Sequence, residues 1–220
     1  TSLLAFFILM TAGHSQYDPQ LSNLEPVLKS YWLVIHVACL TISYGFFGLG
    51  FILSLINLFI YAFRNKSQFK ETESTIKELT YVNEMTLTVG LALATIGTFL
   101  GGIWANESWG RYWGWDAKET WALVIVLVYA FVLHMRFVPG LRGNFSLNVA
   151  SLLGFSSVLF TFIGVNFYLT KGLHSYARGD APAFAWWIWM IIFAIFALII
   201  TAGLKNKKMK ALADRTNSKF

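Results

Sequence analysis

The chain has 220 residues, 56% of them apolar and only 13% charged, with mean hydropathy +0.58 and a formal charge of +6. This excludes an ordinary water-soluble globular domain, because the apolar residues fall in runs too long to bury in an aqueous core. The positive charge follows the breaks between those runs in an alternating pattern, which argues for a membrane topology signal and against nucleic acid as a partner.

Thr1–Ala12 reads as the end of a truncated span; it lacks the basic start of a signal peptide, and the opening without methionine suggests a fragment. An outer loop, Gly13–Lys29, follows, with Pro19 and Pro26 as breakers and His14 expected to be merely solvated. Trp32–Phe63, Met85–Trp104, Leu147–Leu169 and Phe184–Leu204 each reach the ~20 residues a helix needs to cross hydrocarbon. A fifth run, Trp121–Val138, is shorter and carries only His134 and Arg136 near one end. Gly45, Gly48 and Gly50 suggest a close helix approach on the first of these spans. Arg64–Glu84 reads as a separate amphipathic surface helix with Phe69, Ile76 and Leu79 on its apolar side.

The expected fold is therefore all-α: one polytopic bundle over residues 1–220, with five full spans and a truncated sixth at the N-terminus. Arg64–Lys77, Arg136–Arg142 and Lys205–Phe220 hold four, two and six Lys/Arg, whereas the alternate breaks together hold five. The positive-inside rule puts the richer set in the cytoplasm, and the tail from Lys205 is read as touching anionic lipid. Cys39, the single cysteine, lies in a span and is read as packing.

The break Trp109–Trp121, WGRYWGWDAKETW, holds four of the nine tryptophans. An interfacial aromatic belt is one reading and a platform for a planar ligand is the other. The density of indoles, and Gly110 and Gly114 keeping the backbone close, favour the platform. If helical, the segment puts Trp109, Trp113, Asp116 and Thr120 on one face. Asp116, three residues before Glu119, also reads as the N-cap of the next span.

Imidazole is the commonest protein ligand of haem iron. His36 lies about one turn inside the outer end of its span, and His174 lies in an outer loop at the level of the tryptophans. Each has a plain alternative: a bundle histidine bonded to a carbonyl for His36, a solvated loop residue for His174. His134 falls ~20 Å inward from Trp121 at 1.5 Å per residue, near the cytoplasmic side, where it either snorkels or faces a partner.

The tryptophan string resembles the WWD signature of haem-handling proteins of cytochrome c maturation, and within them the CcsA (ResC) family of system II. LKSYWLVIHV at Leu28, YAFVLHMR at Tyr129 and VNFYLTKGLHSYA at Val165 resemble the family's three histidine-bearing segments, in order and spacing. The likeness runs from Pro26 to Leu204. It implies that His36 and His174 ligate haem b iron at the outer face and that Trp109, Trp113, Trp115 and Asp116 hold the porphyrin. It further implies that His134 ligates haem crossing the membrane, with its second ligand from a CcsB (ResB) partner. The implied role is a subunit of a cytochrome c haem lyase in the bacterial cytoplasmic membrane, with the WWD loop outside and an apocytochrome c CxxCH motif as acceptor. Ala117 stands where many relatives have proline, a position at the first helical turn where proline is tolerated. A CcmC-like haem chaperone and a transporter or structural subunit merely anchored by tryptophans are the competing readings.

Overall fold

Lipid offers the backbone no hydrogen-bond partner, so an apolar chain of this kind must satisfy itself by helices. The computed structural model describes residues 30–65, 67–169 and 185–217, and among these there is no strand. The helices are α1 (Tyr31–Phe63), α2 (Phe69–Trp109), α3 (Ala117–His134), α4 (Asn144–Leu159) and α5 (Trp186–Asn217). A short 3₁₀ turn, Met135–Phe137, prolongs α3, and a π turn, Phe160–Gly164, followed by Val165–Phe167 prolongs α4. All five are long and apolar enough to cross a bilayer. The chain is an all-α, multi-pass membrane bundle; Thr1–Ala12 lies outside the described residues.

Helix α1 is the hub, packed along α2 and against α4 and α5, while α3 sits against α2 and α4. The close approach of α1 to α2 is provided mainly by glycines of α2. A Cβ built on Gly90 would meet Phe47 at 2.8 Å, one on Gly97 would meet Leu40 at 3.0 Å and Cys39 at 3.2 Å. Of the α1 glycines expected to serve this purpose only Gly50 does, facing Leu87 and Asn83; Gly48 has ordinary contact and Gly45 open space.

The expected surface helix over Arg64–Glu84 is not separate. It forms the first turns of α2, a single 41-residue helix that extends ~60 Å at 1.5 Å per residue. No proline interrupts it, and its apolar and small polar residues pack into the bundle rather than onto lipid headgroups: Ile76, Thr80 and Asn83 are buried. Ile76 joins Leu58, Tyr61, Leu152 and Ala202 in one core cluster; Phe47, Leu87, Ile125 and Tyr129 belong to a second.

A layer of buried amides and hydroxyls joins α1, α2 and α4. Asn148 Oδ1 accepts from Asn57 (3.0 Å) and Asn83 (3.3 Å), and Asn148 Nδ2 donates to Thr80 Oγ1 (2.8 Å). Asn83 also donates to Ser54 (2.8 Å) and Ser151 (3.3 Å). In an apolar medium such groups hold helices together because their alternative is an unsatisfied dipole. Asn148→Leu is therefore expected to destabilise the bundle by about 1–3 kcal/mol, the cost of orphaning its buried partners. Thermal unfolding of the detergent-solubilised protein measures this; an unchanged transition would remove the layer from the list of stabilising contacts.

At the same end Arg64, the residue that stops α1, is buried. Its guanidinium donates to Glu73 of α2 (2.9 Å) and Asn206 of α5 (2.9 Å), with its side chain 0% exposed. It lies between the rings of Tyr61 and Phe69, each centroid 4.9 Å away.

Candidate functional site

Up-and-down connection brings the start of α1, the end of α2, the start of α3 and the end of α4 to one end of the bundle. There they line a half-open, largely apolar cavity of about 850 Å³, within the ~300–1,000 Å³ typical of small-molecule sites. His36, Trp104, Tyr112, Trp113, Lys118 and Phe162 are among its lining residues.

His36 enters from the second turn of α1. It fits only because α2 has a glycine opposite: a Cβ on Gly101 would lie 2.7 Å from Nδ1. The ring Nδ1 lies 3.1 Å from the Gly97 carbonyl, to which its N–H donates in the matching tautomer. The imidazole stacks nearly parallel to the Trp104 indole, centroids 6.0 Å apart and planes at 10°. Trp104 itself is 1% exposed and meets Trp109 edge-on at 4.7 Å. This tryptophan was read from the sequence only as the end of a span; its pairing with His36 had no sequence signal, because the two stand on different helices.

The tryptophan segment is not one helix. Helix α2 runs on to Trp109 and stops at Gly110, whose φ of +70° makes it a left-handed C-cap, and α3 begins at Ala117. The shared face expected for Trp109, Trp113, Asp116 and Thr120 is thereby lost, and Gly110 serves helix termination rather than a close approach, with nothing within 4 Å of its Cβ position. The intervening loop is tied down by Glu119, 8% exposed. Its Oε1 accepts from Arg111 (3.2 Å) and its Oε2 from the Gly114 N–H (2.5 Å). Asp116 caps α3 as expected, accepting from the Glu119 N–H at 3.0 Å. Glu119 was read only as a helix-start acid, and the structure makes it the clamp of the loop. Gly114 packs directly against the Arg111 guanidinium, and a Cβ there would displace that flexible tip from Glu119.

Trp115 pays for this shape with a φ of +56°, a left-handed conformation that costs a non-glycine residue about 1–3 kcal/mol. It is 70% exposed and edge-on to Trp113 at 5.7 Å. Trp113 lines the cavity while its indole Nε1 is buried without a hydrogen-bond partner.

The structure thus brings His36 and Trp113 to one cavity, sets Trp109 behind Trp104, and leaves Trp115 at the exposed loop tip. Asp116 supports the loop from outside the cavity wall. His134 lies at the other end of α3, ~25 Å from Ala117 at 1.5 Å per residue. It is exposed, with Nδ1 2.7 Å from the Ala130 carbonyl, and does not reach the cavity. His174 lies outside the described residues.

Fold and site together define a multi-pass membrane protein with an aromatic-walled, histidine-bearing cavity at one end of its bundle. Residues 1–174 match the family described as Cytochrome C assembly protein, and the chain belongs to that family. It is 48% identical over 178 residues to Protein NrfI of Wolinella succinogenes, covering 81% of this chain and 20% of that protein. It is 40% identical over 157 residues to cytochrome c biogenesis protein CcsA of Chlamydomonas reinhardtii, covering 71% of this chain and 44% of the relative. CcsA of Prochlorococcus marinus is 39% identical over 181 residues, covering 70% and 57%. The chain spans from a fifth to little over half the length of these relatives.

Proposed function

We propose that the chain acts in cytochrome c maturation as the haem-presenting membrane part of a system II cytochrome c synthase. In this reading it moves haem b, its cargo, across the bacterial cytoplasmic membrane and presents it for covalent attachment to the CxxCH motif of an apocytochrome c. The carrying observation is His36 held between the Gly97 carbonyl and Trp104 inside an apolar cavity that the tryptophan loop borders. The names of the relatives, cytochrome c biogenesis proteins, support the same role.

His36 supplies one axial ligand. An Nδ1–H donated to a backbone carbonyl is the usual support of a metal-bound imidazole; it selects the tautomer whose Nε2 ligates and fixes the ring plane. His174 supplies the opposite ligand. Trp113 and the loop around it bear on the porphyrin, and Trp115 at the tip faces the incoming acceptor. The contribution of these residues is positioning: the macrocycle is held so that its vinyl groups meet the acceptor's thiols.

Arg64, Arg136, Arg142 and Lys205–Lys210 gather at the end of the bundle away from the cavity, which supports a cytoplasmic location for that end and an outward loop. His134, exposed near that end, fits an inner haem ligand completed by a CcsB (ResB) partner.

The test uses the whole protein with its partner, in a His134→Ala background that removes the inner ligand. Single His36→Ala and His174→Ala changes should weaken the bis-histidine absorption of the purified complex, and the double change should abolish it together with cytochrome c formation. An unaltered bis-histidine spectrum in the double variant would refute the ligand assignment.

A further inference from the structure

Helix ends fray unless something outside the helix holds them. Helix α3 gives way at His134 itself to the 3₁₀ turn Met135–Phe137. Arg136, in that turn, does not reach for lipid headgroups; its guanidinium turns inward across two neighbouring helices. Its Nε donates to Glu84 of α2, and its Nη1 donates to the Arg142 carbonyl (2.5 Å) and to Asn144 Oδ1 (3.0 Å) around the start of α4. Asn144 leads on into the buried amide layer, its carbonyl accepting from Asn148 Nδ2 at 2.8 Å. Met135, in the same turn, is buried. Next to this anchored turn the His134 ring is exposed, with Nδ1 2.7 Å from the Ala130 carbonyl one turn earlier. In the matching tautomer Nδ1–H donates there, and Nε2 keeps its lone pair for a metal. The Phe137 ring lies beside the imidazole, centroids 5.9 Å apart.

We propose that Arg136, braced by Glu84 and Asn144, is the residue that positions His134 for ligation. This rests on the reading above, in which His134 is an inner haem ligand completed by a partner. Arg136 acts through the backbone of its turn and touches neither the imidazole nor the ligand. The bond from His134 to a carbonyl four residues back lasts only while the final turn of α3 stays wound. Phe137 stays beside the ring only while the 3₁₀ turn keeps its shape. A planar guanidinium bonded through two of its nitrogens to two helices fixes the rotation of that turn as well as its distance, and rotation is what aims Nε2.

The experiment uses the whole protein with its partner in a His36→Ala/His174→Ala background, so that the absorption spectrum reports the inner site alone. This parent should show a bis-histidine spectrum that His134→Ala removes. Arg136→Ala should lower haem occupancy by about tenfold to a hundredfold, the range for losing a group that orients a metal-bound histidine, and leave the remainder five-coordinate. Free imidazole should restore the six-coordinate spectrum in Arg136→Ala as it does in His134→Ala, because one ligand has lost its aim while the site persists. Arg136→Lys should recover little, and Glu84→Gln should show the Arg136→Ala change in weaker form. Unchanged bis-histidine occupancy in Arg136→Ala overturns the positioning role. A loss that imidazole does not reverse also overturns it, assigning Arg136 to folding alone. If the parent has no spectrum that depends on His134, the inner-ligand reading itself has failed and the role of Arg136 falls with it.

Discussion

On the proposed haem reading, Gly101→Val is expected to lower haem occupancy of the His36 cavity by about 10- to 100-fold, the equivalent of 1–3 kcal/mol of overpacking, with every histidine still in place. A β-carbon at Gly101 already lies 2.7 Å from His36 Nδ1 and 2.9 Å from Cε1, and two further methyl groups leave the ring no room beside α2. The imidazole must then abandon either the Gly97 carbonyl or the Trp104 face, and either loss releases the orientation that the proposed ligation needs. Gly101→Ala should give a smaller shift in the same direction. Gly45→Ala is the matched control: it too changes a transmembrane glycine, but its Cβ would meet nothing within 4 Å. Absorption spectra of the purified variants, normalised to folded protein by thermal unfolding, measure the effect. Equal haem content in Gly101→Val and Gly45→Ala would show that the seat of His36 is irrelevant to binding.

The second large effect is expected at the opposite end. Arg64→Ala removes the guanidinium that joins α1, α2 and α5, leaving Glu73 and Asn206 without it. Breaking a buried pair by deleting one partner costs about 3–5 kcal/mol, and the quarter exposure of Glu73 places this case toward the lower end. Arg64→Lys should recover little, since an ammonium cannot reproduce a planar fork that serves a carboxylate and an amide while lying between two rings. Glu73→Gln in the Arg64→Ala background should restore part of the loss by removing the uncompensated charge. The measurements are unfolding midpoints of the four proteins. Equal midpoints for wild type and Arg64→Ala would show that Arg64 is a surface charge in solution.

Arg64 also marks the boundary of what a reader of the chain can see. In the sequence it is one of four basic residues in a polar break, and counting it toward membrane topology uses its charge alone. Its burial depends on Glu73 and Asn206, nine and 142 positions away. The same holds for Asn57, Asn83 and Asn148, which look like isolated polar residues in separate segments until three helices meet.

Where the determinants are local, reading the chain sufficed. Runs of about twenty apolar residues demand helices across lipid whatever their neighbours do, and Asp116 caps α3 because a cap involves only the next three residues. Over Arg64–Glu84 the same local logic misled: polar composition suggested a separate surface helix, but an uninterrupted helical backbone continues through it. In the loop the left-handed turn at Gly110 broke the assumed periodicity.

The resemblance carried by WGRYWGWDAKETW and the histidine segments points to the family to which the chain belongs. Chain order alone, however, could not reveal that Trp104 rather than Trp109 lies against His36, that Gly101 makes the space for it, or that Glu119 clamps the loop. Those are contacts between helices, and their existence depends on how closely α1 and α2 approach. That distance is set by small side chains on one helix facing large ones on another, a property no single segment carries.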